Sequence, residues 1–193
     1  MAFLAGVSLE ISYARSSAAA GSRLFGKYLK RGLRIFGYGM LITLVFLALG
    51  YGYVIFGILH LIGLYIILAY PFMRLKFWNL FFALLFVAAG VYVQVQDFVV
   101  GGALGVLLSP LGVIPEGLFM PDYRPLLPWF GVVLLGLFFG KAVYADRGKK
   151  EPSAGGPRYA APIQFLGRHT LLIYLIHQPI LSAVLWALGL ISF

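Results

Sequence analysis

Cysteine is missing from all 193 residues, which excludes disulfides and thiolate chemistry and leaves the compartment undecided. Charge is also scarce: 11% of residues carry it, against about 25% in a soluble domain. Acidic residues are rarest, six against 15 Lys and Arg, for a net charge of +9. The basic residues lie between apolar stretches, where membrane topology accounts for them, so nucleic acid is rejected as a partner. No metal constellation is present: the three His are not spaced i, i+4 and there is no HExxH. No phosphate loop and no GxSxG elbow occur, and nothing supports a Ser/His/Asp nucleophile system. What fills the chain instead is apolar: 62% of residues are hydrophobic and the mean hydropathy is +0.95. The class that follows is all-α, a polytopic transmembrane helical bundle of six membrane spans.

The chain is organised around Val54 to Tyr70, VIFGILHLIGLYIILAY, whose single ionisable side chain is His60. At about 1.5 Å per residue it nearly crosses a hydrocarbon core of roughly 30 Å. An ionisable group there is a functional-site candidate, set against a neutral imidazole bonded to a neighbouring helix. Pro71 is expected to end this span. Before it, Phe3 to Tyr13 is apolar but too short to cross unless Ser16 to Ala20 extend it past Arg15. It holds Glu10, a carboxylate that is costly there unless it is superficial, neutral or paired. In Arg23 to Arg34, Lys27, Lys30, Arg31 and Arg34 fall at i, i+3, i+4 and i+7 on one helical face. That face reads as an interfacial helix on anionic lipid, or as a phosphate-binding surface. Gly37 to Leu49 continues as the second span.

Phe77 to Gln94 is the fourth span, with Asn79 near its start. Gln96 to Arg124 is a long apolar loop on the outer side, rich in Gly and Pro, expected as a lid or re-entrant segment. Asp122 and Arg124 stand at the mouth of the fifth span, Leu126 to Tyr144, where Gly136 and Gly140 permit close helix packing. The bland reading of Asp122 and Arg124 is an interfacial ion pair. Ala145 to Gly156 is polar and is expected to be a flexible loop. The last span, Thr170 to Leu190, follows FLGRH. His177 is placed roughly 10 Å inside it, and Pro179 frees a nearby carbonyl. His169, beside Arg168, is an interfacial residue, and Arg168 can also meet an anionic ligand. Alternating the loops puts 14 of the 15 Lys and Arg on one side, with Arg124 alone opposite. The positive-inside rule makes the basic side cytoplasmic and both termini external. His60 then enters from outside, about 9 Å deep, and His177 from the cytoplasm. Either can move a proton at physiological pH. Transporter, acyltransferase and bundle subunit all remain open on these grounds.

Five stretches carry a resemblance: FLAGVSLEISYAR, KYLKRGLRIFGYGMLITLV, VIFGILHLIGLYIILAYPF, PDYRPLLPWFGVVLLGLFFGK and FLGRHTLLIYLIHQPIL. Together they resemble prokaryotic membrane proteins of the domain-of-unknown-function 1624 type, similar to the catalytic domain of heparan-alpha-glucosaminide N-acetyltransferase. The resemblance covers nearly the whole chain, read as a single domain, 1–193, in a prokaryotic plasma membrane. It implies transfer of acetyl from cytoplasmic acetyl-CoA, the co-substrate, to an amine or hydroxyl at the other face, on a sugar acceptor. Lys27, Lys30, Arg31, Arg34 and Arg168 would then hold CoA. His60, His177 and Asp122 would serve proton transfer or acceptor binding, and Arg124 and Glu10 would meet the acceptor. The alternative is a membrane transporter or lipid-handling bundle without catalysis.

The resembled family begins with a helix carrying an Arg-Gly pair and a histidine, the residue given the acetyl-transfer role. This sequence starts at what would be the second helix. The expectation is therefore an N-terminally truncated domain, completed by an upstream in-frame helix or by a second chain. Membrane lipid, the acceptor and a homo-oligomer are the partners this admits. A groove beside the first segment, lined by Glu10 and near His60 or His177, is expected where that helix would sit.

Overall fold

A computed structural model describes residues 1–20, 24–49, 56–75, 77–117, 123–145 and 161–189. The architecture is helical, in two units, 1–148 and 149–193. In the first unit α1 spans Ala2–Ala20, α2 Leu24–Leu49, α3 Ile58–Phe72, α4 Trp78–Val95, α5 Gly102–Leu108 and α6 Leu126–Ala145; α7, Ala161–Ala187, belongs to the second. Among the described residues, three helices are long and apolar enough to cross a membrane: Leu24–Ala48, Trp78–Val95 and Leu126–Val143. The others of the expected six, α1, α3 and α7, are not in that class.

Several boundaries differ from the sequence reading. α1 runs through Arg15 to Ala20, because nothing in SSAAA breaks a helix. The cationic segment and the second span form one continuous helix, α2, from Leu24 to Leu49. Pro71 lies inside the last turn of α3 rather than ending it, and the chain turns only after Phe72. α3 starts at Ile58, so His60 sits in its first turn. FLGRH is already inside α7, and the helical assignment continues past position 179. Residues 50–53, between the second and third expected spans, and nearly all of the polar loop Ala145 to Gly156 lie outside the described residues.

Packing in the first unit centres on α6, which lies against both α1 and α4, while α2 pairs with α3. Glycines set these distances. A Cβ on Gly6 would strike the Val133 carbonyl, and one on Gly136 the Phe3 carbonyl. Across the other pair, a Cβ on Gly32 would meet the Gly63 carbonyl at 2.6 Å. Such approach gains dispersion contact where lipid supplies no hydrophobic drive. The core is aromatic: Phe130 of α6 meets Phe72, Phe86 and the Tyr65 ring at centroid distances of 5.6, 5.3 and 5.8 Å.

The segment between α4 and α6 holds a small ordered module, not a bare connector. β1, Val99–Val100, pairs in parallel with β2, Ile114–Pro115, in the register Val99↔Ile114. Parallel pairing needs a crossover, and α5 with the tight turn Ser109–Leu111 provides it. Gly112 closes that turn at φ 105°, a left-handed conformation suited to glycine. The Tyr123 hydroxyl donates to the Ser109 carbonyl at 2.6 Å, locking the module to the approach of α6. Burial pushes the Tyr123 phenol up to about 12, so it stays a neutral donor at ordinary pH.

Candidate functional site

Polar side chains gather at the two ends of α3, separated by its length. At its start, His60 is 1% exposed. Its Nδ1 accepts the Gly57 backbone N–H at 3.3 Å, one half of a capping box. With Nδ1 accepting, the neutral ring carries its proton on Nε2. Phe36 meets the ring edge-on at 5.0 Å and Phe56 stacks at 6.2 Å. A Cβ on Gly39 would come within 3.0 Å of the ring, so α2 is notched to admit the imidazole. The Arg124 backbone N–H donates to the Phe56 carbonyl at 3.1 Å, which brings the start of α6 to the level of His60. The Arg124 side chain is exposed. Asp122 lies outside the described residues.

At the other end, about 20 Å further along α3, Lys141 of α6 donates to the Met73 carbonyl at 2.9 Å. It caps the last turn of α3 as a cation does at the negative pole of a helix. Lys141 also acts electrostatically on Glu10. Glu10 is 5% exposed and packs against Gly140, where a Cβ would approach the Glu10 Cβ to 3.1 Å. Its Oε2 has no hydrogen-bond partner among the described residues. Of the groove expected beside Glu10 near His60 or His177, the His60 alternative is corrected: Glu10 lies in the α1–α6 interface at the level of the end of α3, and His60 at its start.

Around this second end the surface is basic and aromatic. Lys27, Lys30, Arg31 and Arg34 are all exposed on α2, while Leu24, Tyr28, Gly32 and Gly39 are buried. Lys27 donates to the Ser16 hydroxyl at 2.7 Å and the Tyr28 hydroxyl to that of Ser12 at 3.3 Å, stitching α2 to α1. The Arg74 guanidinium hydrogen-bonds Tyr70 at 3.5 Å and also Tyr13.

In the second unit, His177 is exposed on α7, about 24 Å along the helix from its start. His169 Nδ1 lies 2.9 Å from the Phe165 carbonyl, a contact within its own helix. The Arg168 side chain lies outside the described residues.

Sequence reading missed Lys141, Arg74 and the two tyrosine partners of Arg74, all treated as topology or as unremarkable. It also passed over Asn79, fully buried with neither amide atom bonded among the described residues, and the Tyr65 hydroxyl, likewise buried and unbonded. A polar residue amid an apolar run was the available signal. No group of metal-ligating residues occurs among the described residues.

A family model described as heparan-alpha-glucosaminide N-acetyltransferase, catalytic, matches residues 2–179. No curated protein and no solved structure matches.

Proposed function

This chain belongs to the heparan-alpha-glucosaminide N-acetyltransferase catalytic family, and from that premise we propose that it transfers acetyl from acetyl-CoA to an amine or hydroxyl of a sugar. The family match over residues 2–179 carries this reading; membership and the three apolar helices make it an integral membrane, acetyltransferase-like protein. The donor is assigned to the basic end, with Lys27, Lys30, Arg31 and Arg34 holding CoA phosphates. Four exposed cations fit that role, since ammonium and guanidinium groups both pair with phosphate. Arg168 is proposed for the same donor. The acceptor is assigned to the opposite end, with His60 handling protons and Arg124 binding the sugar; His177 and Asp122 are proposed for proton transfer on the family resemblance alone. The early placement of Glu10 with the acceptor gives way to a packing role, because Glu10 lies at the donor end. The basic end is cytoplasmic, in a prokaryotic plasma membrane, and lipid, a homo-oligomer or a helix-donating chain are the remaining partners.

The reaction breaks the acetyl C–S bond and forms C–N or C–O. The acceptor loses a proton and the CoA sulfur gains one. His60, with Nδ1 engaged and a proton on Nε2, suits a hydrogen bond to the thioester carbonyl oxygen or proton donation to the departing CoA sulfur, and the proton that the acceptor loses is assigned to His177 or Asp122 as base.

The test is reconstituted protein given acetyl-labelled CoA on one side and an amino sugar on the other. Labelled sugar and free CoA thiol are expected, and His60→Ala protein that still inserts should lose at least about a hundredfold in rate. Sugar uptake without labelling would establish the transporter reading in its place. Full activity in the His60→Ala protein would make His60 a packing residue.

A further inference from the structure

We propose that the mouth formed by α1, the start of α2 and the end of α3 is a phosphate-binding site, with Arg74 at its centre and Lys27 and Arg31 on its flank. Among the described residues its cations carry no counter-charge. The Arg74 guanidinium is held by the hydroxyls of Tyr70 and Tyr13, and the Lys27 ammonium by that of Ser16. Hydroxyls orient a cation without neutralising it. Among the described residues no carboxylate pairs with Arg74, Lys27 or Arg31, and the acid at this end, Glu10, is buried beside Lys141. Arg31 acts electrostatically on Tyr28, three residues before it on α2, and the Tyr28 ring is 5.9 Å from that of Tyr70. α2 and the turn after α3 thus bring together three cations with no acidic partner among the described residues, which repel one another unless an anion joins them.

Arginine suits the central place. A guanidinium has five donors in a planar fork, and two tyrosine hydroxyls leave donors over for a bidentate phosphate contact. The neighbouring surface is aromatic: Arg74 stands over the Tyr70 ring at 5.9 Å, and the exposed Phe25 ring is 5.2 Å from the same ring. Those faces give an apolar wall to whatever carries the phosphate. Two carriers share this chemistry: the nucleotide end of a thioester donor and an anionic phospholipid headgroup. The nucleotide carrier rests on the acetyltransferase reading; the headgroup does not.

The experiment uses the full chain and needs no acetyl transfer. Binding of adenosine 3′,5′-bisphosphate is measured by calorimetry in zwitterionic nanodiscs, and retention of phosphatidylglycerol by native mass spectrometry. Arg74→Gln should weaken at least one of the two by about tenfold or more, as loss of a charge-assisted fork does. Arg15→Gln removes the same charge from α1 outside the cluster and should cost less than about twofold. Arg74→Lys keeps the charge and the fold but loses the fork, and should fall between them. Loss of the bisphosphate alone identifies the nucleotide carrier, and loss of the lipid alone the headgroup. Equal behaviour of the Arg74→Gln and Arg15→Gln proteins, or no binding of either probe by the wild type, would overturn the site. Bisphosphate binding by a chain that acetylates no sugar would keep the site and remove the transferase reading.

Discussion

Lys141 is the residue on which the basic end of the bundle depends. Its ammonium serves two groups, the Met73 carbonyl at the end of α3 and the buried Glu10 carboxylate of α1. Lys141→Met keeps the length of the side chain and removes both interactions. A buried polar group left without its partner costs about 1–3 kcal/mol, so a clearly lowered Tm in detergent is expected. Adding Glu10→Gln should recover part of the loss, since the uncompensated acid is then gone. A double variant no more stable than Lys141→Met alone would show that only the cap on α3 matters.

At the scale of elements, glycine position decides how helices meet. Gly32 and Gly63 bring α2 and α3 together, whereas a Cβ on Gly26 or Gly37 of the same α2 would meet nothing within 4 Å. Gly32→Leu should therefore force the pair apart and abolish a cooperative melt. Gly37→Ala should leave Tm unchanged or raise it, by the propensity gain of roughly 0.5–1 kcal/mol for alanine in a helix. Equal losses in both would mean that α2 packs on a different face. The sequence pattern shows the helices themselves well: α4 and α6 fall within a residue or so of expectation, because their apolar runs have sharp ends. Pattern alone does not show which faces meet. The helix glycines look alike in the sequence, and only the partner helix separates Gly32 from Gly37. The cationic row on α2 was legible by spacing, but its neighbour Arg74, 40 residues beyond Arg34, joins it only through the α2–α3 pairing. The β1–β2 bridge escaped for a related reason: two residues per strand are too few to show alternation.

For the whole molecule, the two ends of the first unit differ in kind: one basic and aromatic, the other holding His60 and the β1–β2 module. The absence of cysteine makes this directly measurable, because any introduced thiol is the only one. A membrane-impermeant maleimide should label Lys27→Cys from the cytoplasmic side alone and Glu116→Cys from the outside alone. Labelling of both from one side would overturn the assigned orientation. The pairing of α1 with α6 also has a consequence in time. Glu10 is made early, and Lys141 follows about 130 residues later. At about 5–20 residues per second, α1 emerges roughly ten seconds before the cation it is built beside. During that interval its carboxylate needs a substitute, whether water at the membrane surface, a proton, or the insertion machinery. Folding of the first unit therefore closes from its last helix back to its first, and a nascent chain stalled before Lys141 would hold α1 without its lasting neighbour.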